Sequence, residues 1–288
     1  MRRLIGGCAL ALAAWAAACR LIPPLAALWQ RAALPALKAL HRGTAGVPFP
    51  VIEPLALILL CLGLGRRGAR RLTAALMAMV GVYLMLWYPC YWARPAQPRG
   101  AADARAVEAL CGRLIDALNG PAPAFEGGLA AAGEAAGLRG ARVKAARYPE
   151  WMGALGLSGL FSPWTGEVIV NPEAYSASLP FTCVHELMHL RGVADEGEAN
   201  IAAYRACLEE GGAFAWSARL WTLRCALDRL SRLDPVACRQ ALARVSPGLA
   251  RQLTPFSAAK PNPLARLLGI ARPTSDYDAL IDWLCLDG

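Results

Sequence analysis

Three long apolar segments occupy the first third of the chain and predict helices that cross a membrane. They run from about Leu4 to Trp29, from about Val47 to Leu64, and from Leu72 to Tyr91. A helix needs about 20 mostly apolar residues to cross the hydrocarbon core of a bilayer. The first segment has no clear cleavage site, which favours an uncleaved anchor over a cleaved signal peptide. We therefore expect a membrane domain over residues 1–93 with about three transmembrane helices.

A basic loop between the second and third segments predicts their orientation. Four arginines fall between Gly65 and Arg71, and two more precede the first segment. Lysine and arginine are enriched in the cytoplasmic loops of membrane proteins. Three crossings then place the residues after about 93 outside the cytoplasmic membrane. Arg31, Lys38 and Arg42 would fall in the first outer loop, where they reduce the charge asymmetry.

Composition and charge agree with a membrane protein and argue against a nucleic-acid partner. Hydrophobic residues make up 56% of the chain and charged residues only 18%, whereas about 25% charged residues is typical of globular domains. The net charge is +9, but residues 1–99 hold 12 lysines and arginines and a single acid, Glu53. The rest of the chain is nearly neutral and lacks the basic surface that nucleic acid requires. We interpret the basic residues as determinants of membrane topology.

The pattern after residue 93 predicts a second domain. Proline, glycine and arginine in residues 94–103 are typical of a linker, and we place the domain at residues 104–288. Residues 120–160 are rich in glycine and alanine, and their pattern is ambiguous. The fold class is mainly α, with N-terminal transmembrane helices followed by an α+β domain that contains a small sheet. The predicted elements are a helix over Ala104–Asn119, a strand over Glu167–Val170, several helices between about 180 and 250, and a last helix over Asp276–Leu286.

The stretch His185-Glu186-Leu187-Met188-His189 carries the strongest chemical signal in the sequence. On a helix, positions i and i+4 lie on the same face, so both imidazoles can bind one Zn²⁺ ion. Glu186 lies beside them and can take a proton from a water molecule on the metal. The chain contains only three histidines, which makes the spacing of these two informative.

A third ligand for Zn²⁺ is expected among the acidic residues that follow the motif. Asp195, Glu196 and Glu198 lie just beyond Gly192, which allows the chain to turn. Asp195 and Glu198 fit a capping box at the start of a second helix, which leaves Glu196 as the favoured ligand. Asn200, one turn after Glu196, is a possible partner of a ligand. Asp195 remains a rival, because a glycine turn can also bring it to the metal, and Glu198 is the third candidate.

The residues around this motif resemble a bacterial family catalogued as domain of unknown function 3810, and the resemblance covers most of residues 20–210. Members of that family carry about three N-terminal membrane segments and then a zincin-like domain, so the resemblance implies a zincin-like metallopeptidase fold here. Ile201 departs from the family pattern, which has Phe at this position. The spacing of Glu196 and Asn200 is also similar to a motif of the gluzincin peptidases, which favours Glu196. The matching residues are Pro180-Phe181-Thr182, His185-Glu186-Leu187-Met188-His189, Gly192, Glu196-Gly197-Glu198-Ala199-Asn200, the segment Gly159–Glu167, and Pro48-Phe49-Pro50.

These observations predict a membrane-anchored, zinc-dependent metallopeptidase. His185, His189 and Glu196 would hold Zn²⁺, and Glu186 would transfer protons during attack on a peptide bond. Its partners would be a peptide or protein substrate and the lipid bilayer of a bacterial cytoplasmic membrane. Two alternatives stay open. One is a non-catalytic membrane protein that uses a zincin-like domain for partner binding or metal sensing, and the other is a zinc hydrolase for a non-peptide bond.

Three further expectations concern the surroundings of the site. Tyr204 or Tyr175 can act as an oxyanion donor, although an ordinary buried tyrosine is the simpler interpretation of each. The strand at 168–170 can pair with an extended substrate, but it can equally be a plain sheet strand. Cys225 and Cys238 are the most plausible local disulfide pair in a domain outside the cytoplasm.

Overall fold

The computed structural model describes residues 2–64, 67–93, 100–174, 176–253 and 275–287, which form a mainly helical protein with one small sheet. The mainly helical class with a small sheet is therefore confirmed. Residues 94–99 of the predicted linker lie outside the described residues. The helices are α1 (Arg2–Leu21), α2 (Pro23–Ala45), α3 (Ile52–Leu62), α4 (Gly68–Leu86), α5 (Tyr88–Ala93), α6 (Ala104–Leu118), α7 (Gly128–Ala135), α8 (Pro149–Ala154), α9 (Leu179–Leu190), α10 (Glu196–Glu210), α11 (Gly212–Leu233), α12 (Pro235–Ala243), α13 (Pro247–Leu253) and α14 (Ser275–Leu286), with a short 3-10 helix at Ser176–Ser178. The strands are β1 (Val143–Ala145), β2 (Gly159–Ser162) and β3 (Glu167–Val170).

The first predicted membrane segment is broken at Ile22 instead of continuing to Trp29. The axis of α2 is bent by 111° from the part of α1 at Leu10–Leu21. Proline has no N–H group and disfavours helical geometry in the residue before it. Ile22 accordingly leaves the helical region, with φ −126° and ψ 76°. Arg31, Lys38 and Arg42, which were expected in a loop, lie within the helix α2.

The second predicted segment is shorter than a membrane crossing. Its helix α3 has 11 residues, which span about 16 Å, or half of a hydrocarbon core. The stretch Gly68–Ala93 is long and apolar enough to cross a membrane, and the bent pair of α1 and α2 passes the same test if it is counted as one span. The described residues thus support one or two membrane-crossing helices, not the three that were predicted, and they do not support the predicted orientation.

One face of α2 packs against the remainder of the molecule. The helix carries His41, the remaining histidine of the chain. Its Nε2 accepts a hydrogen bond from the Arg142 N–H (3.0 Å), and its Nδ1 donates to the Gly166 carbonyl (2.9 Å). This pair of bonds requires the neutral ring, and burial lowers the pKa of His41. The helix therefore packs a mostly apolar stripe against the sheet region, and polar side chains within the stripe form hydrogen bonds to it. The buried residues of the stripe are Ala26, Gln30, Ala33, Leu37 and His41.

A buried ion pair joins the segment between α2 and α3 to the sheet. Lys144 Nζ lies 2.6 Å from Glu167 Oε1, and the Glu167 side chain is fully buried. Glu167 also accepts hydrogen bonds from the N–H groups of Val51 and Ile52, while Lys144 donates to the Thr44 carbonyl. The predicted domain boundaries stay a prediction, but the two predicted domains share buried polar contacts.

The sheet has the strand order β1-β3-β2, with β3 parallel to β1 and antiparallel to β2. The strand predicted at Glu167–Val170 is confirmed as β3. Both edges of β3 are occupied, so the expectation that it pairs with a substrate is wrong. Among the described strands, β2 lies at an edge and runs beside α9. The strands β1 and β2 fall in the glycine- and alanine-rich stretch where the sequence pattern predicts no element.

The predicted pair of Cys225 and Cys238 does not form a disulfide. Both are free thiols, on α11 and α12. The thiol of Cys238 donates to the Leu227 carbonyl of α11 at 3.5 Å, so its sulfur is directed at the backbone of the neighbouring helix. The two helices are held by an apolar core that includes Leu223, Leu227 and Ala241.

Candidate metal centre

The helix α9 presents its two histidines from a fully buried element. Pro180 stands in the first turn, where its missing N–H costs nothing. Every residue from Pro180 to Leu190 is buried, so the two polar rings lie in a region with little water. The ring centroids of His185 and His189 are 4.9 Å apart, and the ring planes are nearly perpendicular.

The turn after α9 returns the chain so that α10 begins beside the histidines. Gly192 has φ +87°, a left-handed conformation that side chains rarely adopt. Asp195 is the N-cap of α10, and its carboxylate accepts a hydrogen bond from the Glu198 N–H at 2.9 Å. This cap makes Glu196 the first residue of α10 and directs its carboxylate back toward α9.

The donor atoms of three residues lie close to the spacing that tetrahedral coordination requires. Glu196 Oε2 lies 3.1 Å from His185 Nε2 and 3.7 Å from His189 Nε2, and the three donor atoms lie within 4.8 Å of one another. Ligands about 2.0–2.2 Å from Zn²⁺ at tetrahedral angles are roughly 3.3–3.6 Å apart. His189 Nδ1 donates to the Val193 carbonyl at 2.7 Å, which leaves the lone pair of Nε2 free for a metal. The residues present therefore fit a metal ion.

The carboxylate of Glu196 and the ring of His189 shift each other's pKa. Burial alone would raise the pKa of Glu196, but the hydrogen bond with His185 and charge attraction from both histidines outweigh it and hold the pKa far below its usual range. Burial alone would lower the pKa of His189, but the nearby carboxylates of Glu196 and Glu186 raise it. The carboxylate of Glu196 is thus anionic, as a metal ligand must be.

Glu186 lies against the backbone of β2 at Gly159. A Cβ atom at position 159 would be 2.6 Å from both Cγ and Oε1 of Glu186, so only glycine leaves room for this carboxylate. Glu186 is itself buried. The residue expected to move protons therefore lies between the histidine helix and an edge strand.

The structure separates the three acidic candidates. Glu196 joins both histidines, whereas Asp195 is used as a helix cap and belongs to no described metal-binding group. Glu198 likewise lies outside the group of His185, His189 and Glu196. The predicted capping role of Asp195 is confirmed.

Of the two tyrosines considered as oxyanion donors, the structure describes only Tyr204, which is buried. Tyr204 packs edge-on to Trp283, with ring centroids 6.5 Å apart, and it interacts with Arg219, so it is engaged away from the histidines. Tyr175 lies outside the described residues. Asn200 is fully buried one turn after Glu196, and neither its Nδ2 nor His185 Nδ1 has a hydrogen-bond partner among the described residues. Two unpaired buried polar atoms near a site are costly, which is more typical of a functional site than of a structural core.

Several residues that support the centre escaped the sequence analysis. The Gln30 amide of α2 donates to the Gly192 carbonyl at 2.8 Å. Trp87 lies edge-on to His189, with ring centroids 5.9 Å apart, and Phe161 of β2 packs on Trp87. The aromatic character of Trp87 was visible as the end of an apolar helix, but no local signal connects it with a histidine about a hundred positions later.

Comparison with known proteins bears on the part of the chain that holds this centre. No significant match to the chain was found among curated proteins or among solved structures. Residues 130–259 match the family model described as "Protein of unknown function (DUF3810)". The matched range contains the sheet and the helices α9 and α10. This match supports placing residues 130–259 in the DUF3810 family.

Proposed function

We propose that the protein is a membrane-anchored, zinc-dependent metallopeptidase with a zincin-like site. The observation that carries the proposal is the group of three donor atoms from His185, His189 and Glu196, which lie within 4.8 Å of one another. Two histidines and a carboxylate are the protein ligands of several catalytic zinc sites, in which a fourth position stays open. The Glu196 side chain is 23% exposed, which leaves the group accessible from one side.

The chemistry assigned to each residue follows from its surroundings. His185, His189 and Glu196 would hold Zn²⁺, which would supply a Lewis acid for a water molecule and for the carbonyl of the bond to be cleaved. Glu186 accepts a proton from the water and returns it to the leaving amine. The bond from His189 Nδ1 to the Val193 carbonyl fixes the orientation of that ring. Burial of the helix α9 excludes water and strengthens the electrostatic interactions at the site.

The edge strand β2 offers a place for an extended substrate. Among the described strands, β2 pairs only with β3, on one of its two sides. Gly159 brings the backbone of β2 against Glu186. Extended peptides commonly bind by adding a strand to a free sheet edge. A peptide bound there would run past the general base, which agrees with hydrolysis of a peptide bond.

The membrane anchor is supported by the surface of α4. A buried core helix or an N-terminal signal sequence can also be long and apolar, but α4 is neither. Only 11% of the most apolar 18-residue part of Gly68–Ala93 is buried. Within α4, Leu76 and Val80 are each 48% exposed. Such a contiguous apolar surface is unfavourable in water and is suited to lipid.

The metal content of the full chain, purified in mild detergent, tests the proposal. We expect one zinc per chain in the wild type and in Glu186→Gln, and loss of zinc in His185→Ala and Glu196→Gln. Asp195→Asn and Glu198→Gln are matched controls, since each removes one charge, and asparagine still caps a helix. Both should keep zinc. A wild type that holds no zinc after metal has been offered would refute the proposed function.

Hydrolysis separates the peptidase from a zinc protein without catalysis. A pool of fluorogenic peptides should be cleaved by the wild type and not by Glu186→Gln, although both bind zinc. Zinc binding without cleavage of any peptide would favour a role in partner binding or metal sensing. Loss of cleavage only in the zinc-free variants, with Glu186→Gln active, would remove Glu186 from the mechanism.

A further inference from the structure

The candidate centre lies at the end of the helix that we propose crosses the membrane. Trp87, between α4 and α5, is almost fully buried, and its ring lies 5.9 Å from that of His189. The Trp87 ring also packs on Phe161 of β2, with centroids 4.9 Å apart. A single aromatic side chain thus contacts both a candidate metal ligand and the strand that borders Glu186.

Tryptophans gather around this end of α4. The indole N–H groups of Trp15 and Trp29 donate to backbone carbonyls in the last turn of α4, at 2.9 and 2.6 Å, and the two rings are 4.7 Å apart. Nearby, the guanidinium of Arg20 on α1 lies 5.6 Å from the ring centroid of Trp92 on α5. Tryptophan is enriched where membrane helices meet the headgroup layer, and arginine commonly accompanies it there. The composition of this cluster is that of a membrane interface.

The helix α2 begins near the same end of α4 and exposes both basic and apolar side chains. Its buried stripe faces the sheet region and the Gly192 turn, and it is bent by 111° from α1. Outside this stripe, Arg31 and Arg42 are exposed, and Leu28 is 66% exposed. No acidic residue precedes Glu53 in the sequence. Helices that expose basic and apolar side chains together are suited to the surface of an anionic bilayer.

We infer that the centre works at the membrane surface and that its substrates are polypeptide segments close to the bilayer. The inference rests on the proposed function and adds the substrate class to it. The His189 and Trp87 rings are 5.9 Å apart, and the headgroup layer adds about 5–8 Å. About three to four extended residues therefore bridge the distance from the hydrocarbon core to the centre. A segment that emerges from the bilayer reaches the centre easily, whereas the bilayer itself hinders the approach of a large folded protein.

Quenching by a bound metal tests the position of the centre without a known substrate. The full chain is placed in nanodiscs of phosphatidylcholine and phosphatidylglycerol and loaded with Co²⁺, which accepts the same ligand types as Zn²⁺. One set of nanodiscs carries a fluorophore on the lipid headgroup, and the other carries it at the end of an acyl chain. Bound Co²⁺ quenches only nearby fluorophores. We expect a clear loss of headgroup fluorescence, a smaller loss for the acyl-end label, and no change with His189→Ala.

The outcomes distinguish the inference from the proposed function. Co²⁺ that is bound, as its absorption spectrum reports, but leaves the headgroup fluorescence unchanged overturns the surface location and leaves the metal centre in place. Absence of bound Co²⁺ in the wild type refutes the metal centre and with it the inference. Equal quenching of both labels contradicts a position at the surface.

A second experiment tests the substrate class. The zinc-loaded wild type receives randomised peptides fused to a transmembrane anchor in the same nanodiscs, with Glu186→Gln as the control. Cuts concentrated within about four residues of the anchor support the inference, since an extended chain of that length covers this distance. Cuts spread evenly along the peptides overturn the substrate class and leave peptidase activity established.

Discussion

Replacement of Gly192 by alanine tests whether the N-terminal segment packs on the turn between the two ligand helices. Gly192 has φ +87°, and a Cβ there would lie 2.6 Å from Leu34 Cδ2 and 3.0 Å from Gln30 Nε2. A left-handed backbone costs a residue with a side chain about 1–2 kcal/mol, and overpacking adds about 1–3 kcal/mol. We expect Gly192→Ala to lower the free energy of unfolding by about 2–5 kcal/mol and to weaken zinc binding.

Gly140→Ala is the matched control for this substitution. Gly140 has φ +75°, but a Cβ there meets nothing within 4 Å, so only the backbone cost of about 1–2 kcal/mol applies. The assays are unfolding of the full chain in detergent and competition for zinc with a chelator. Leu34→Ala combined with Gly192→Ala should recover part of the overpacking loss. Equal destabilisation by Gly192→Ala and Gly140→Ala, with zinc affinity unchanged, would show that α2 does not contact the turn.

Three further substitutions probe the centre and its support. Gly159→Ala should keep zinc but lower peptide turnover about 100-fold, the typical effect of displacing a catalytic group by about 1 Å; unchanged turnover would contradict the contact with Glu186. Lys144→Met leaves the buried Glu167 carboxylate without its cation and should lower the free energy of unfolding by about 3–5 kcal/mol, a loss that an unaltered melting temperature would rule out. Burial lowers the pKa of His41, so its neutral ring stabilises the fold fully above about pH 6.5, and this contribution is lost as the pH falls through the lowered pKa. The difference in unfolding free energy between the wild type and His41→Gln should therefore shrink at acidic pH, and a constant difference would refute the assigned role.

The arrangement of the histidines and Glu196 could be predicted because it depends on local rules. Spacing by four on a helix brings His185 and His189 to one face, a glycine permits the turn, and an aspartate caps the next helix. Each rule acts over fewer than a dozen residues. The short strand β3 was predicted for the same reason, since its run of valine and isoleucine is bounded by a turn.

The helix α2 could not be assigned in the same way. Its first turn continues an apolar segment, and its basic residues suggest a loop between membrane helices. Its burial is decided by Gln30, Leu37 and His41, whose partners lie more than a hundred residues away in the sequence. Hydropathy measures the preference of a segment for lipid over water, and it does not distinguish lipid from the surface of a neighbouring domain.

Those distant contacts bear on how the centre is built. The Gly192 carbonyl is held by Gln30, the His189 ring is covered by Trp87, and the carboxylate of Glu167 accepts hydrogen bonds from the N–H groups of residues 51 and 52. All three supports come from the first 93 residues, while the centre itself lies between 159 and 196. Ligand geometry within a fraction of an ångström depends on such supporting contacts. The N-terminal region therefore supports the candidate metal centre directly, and under the proposed membrane anchoring its position would fix where the centre acts.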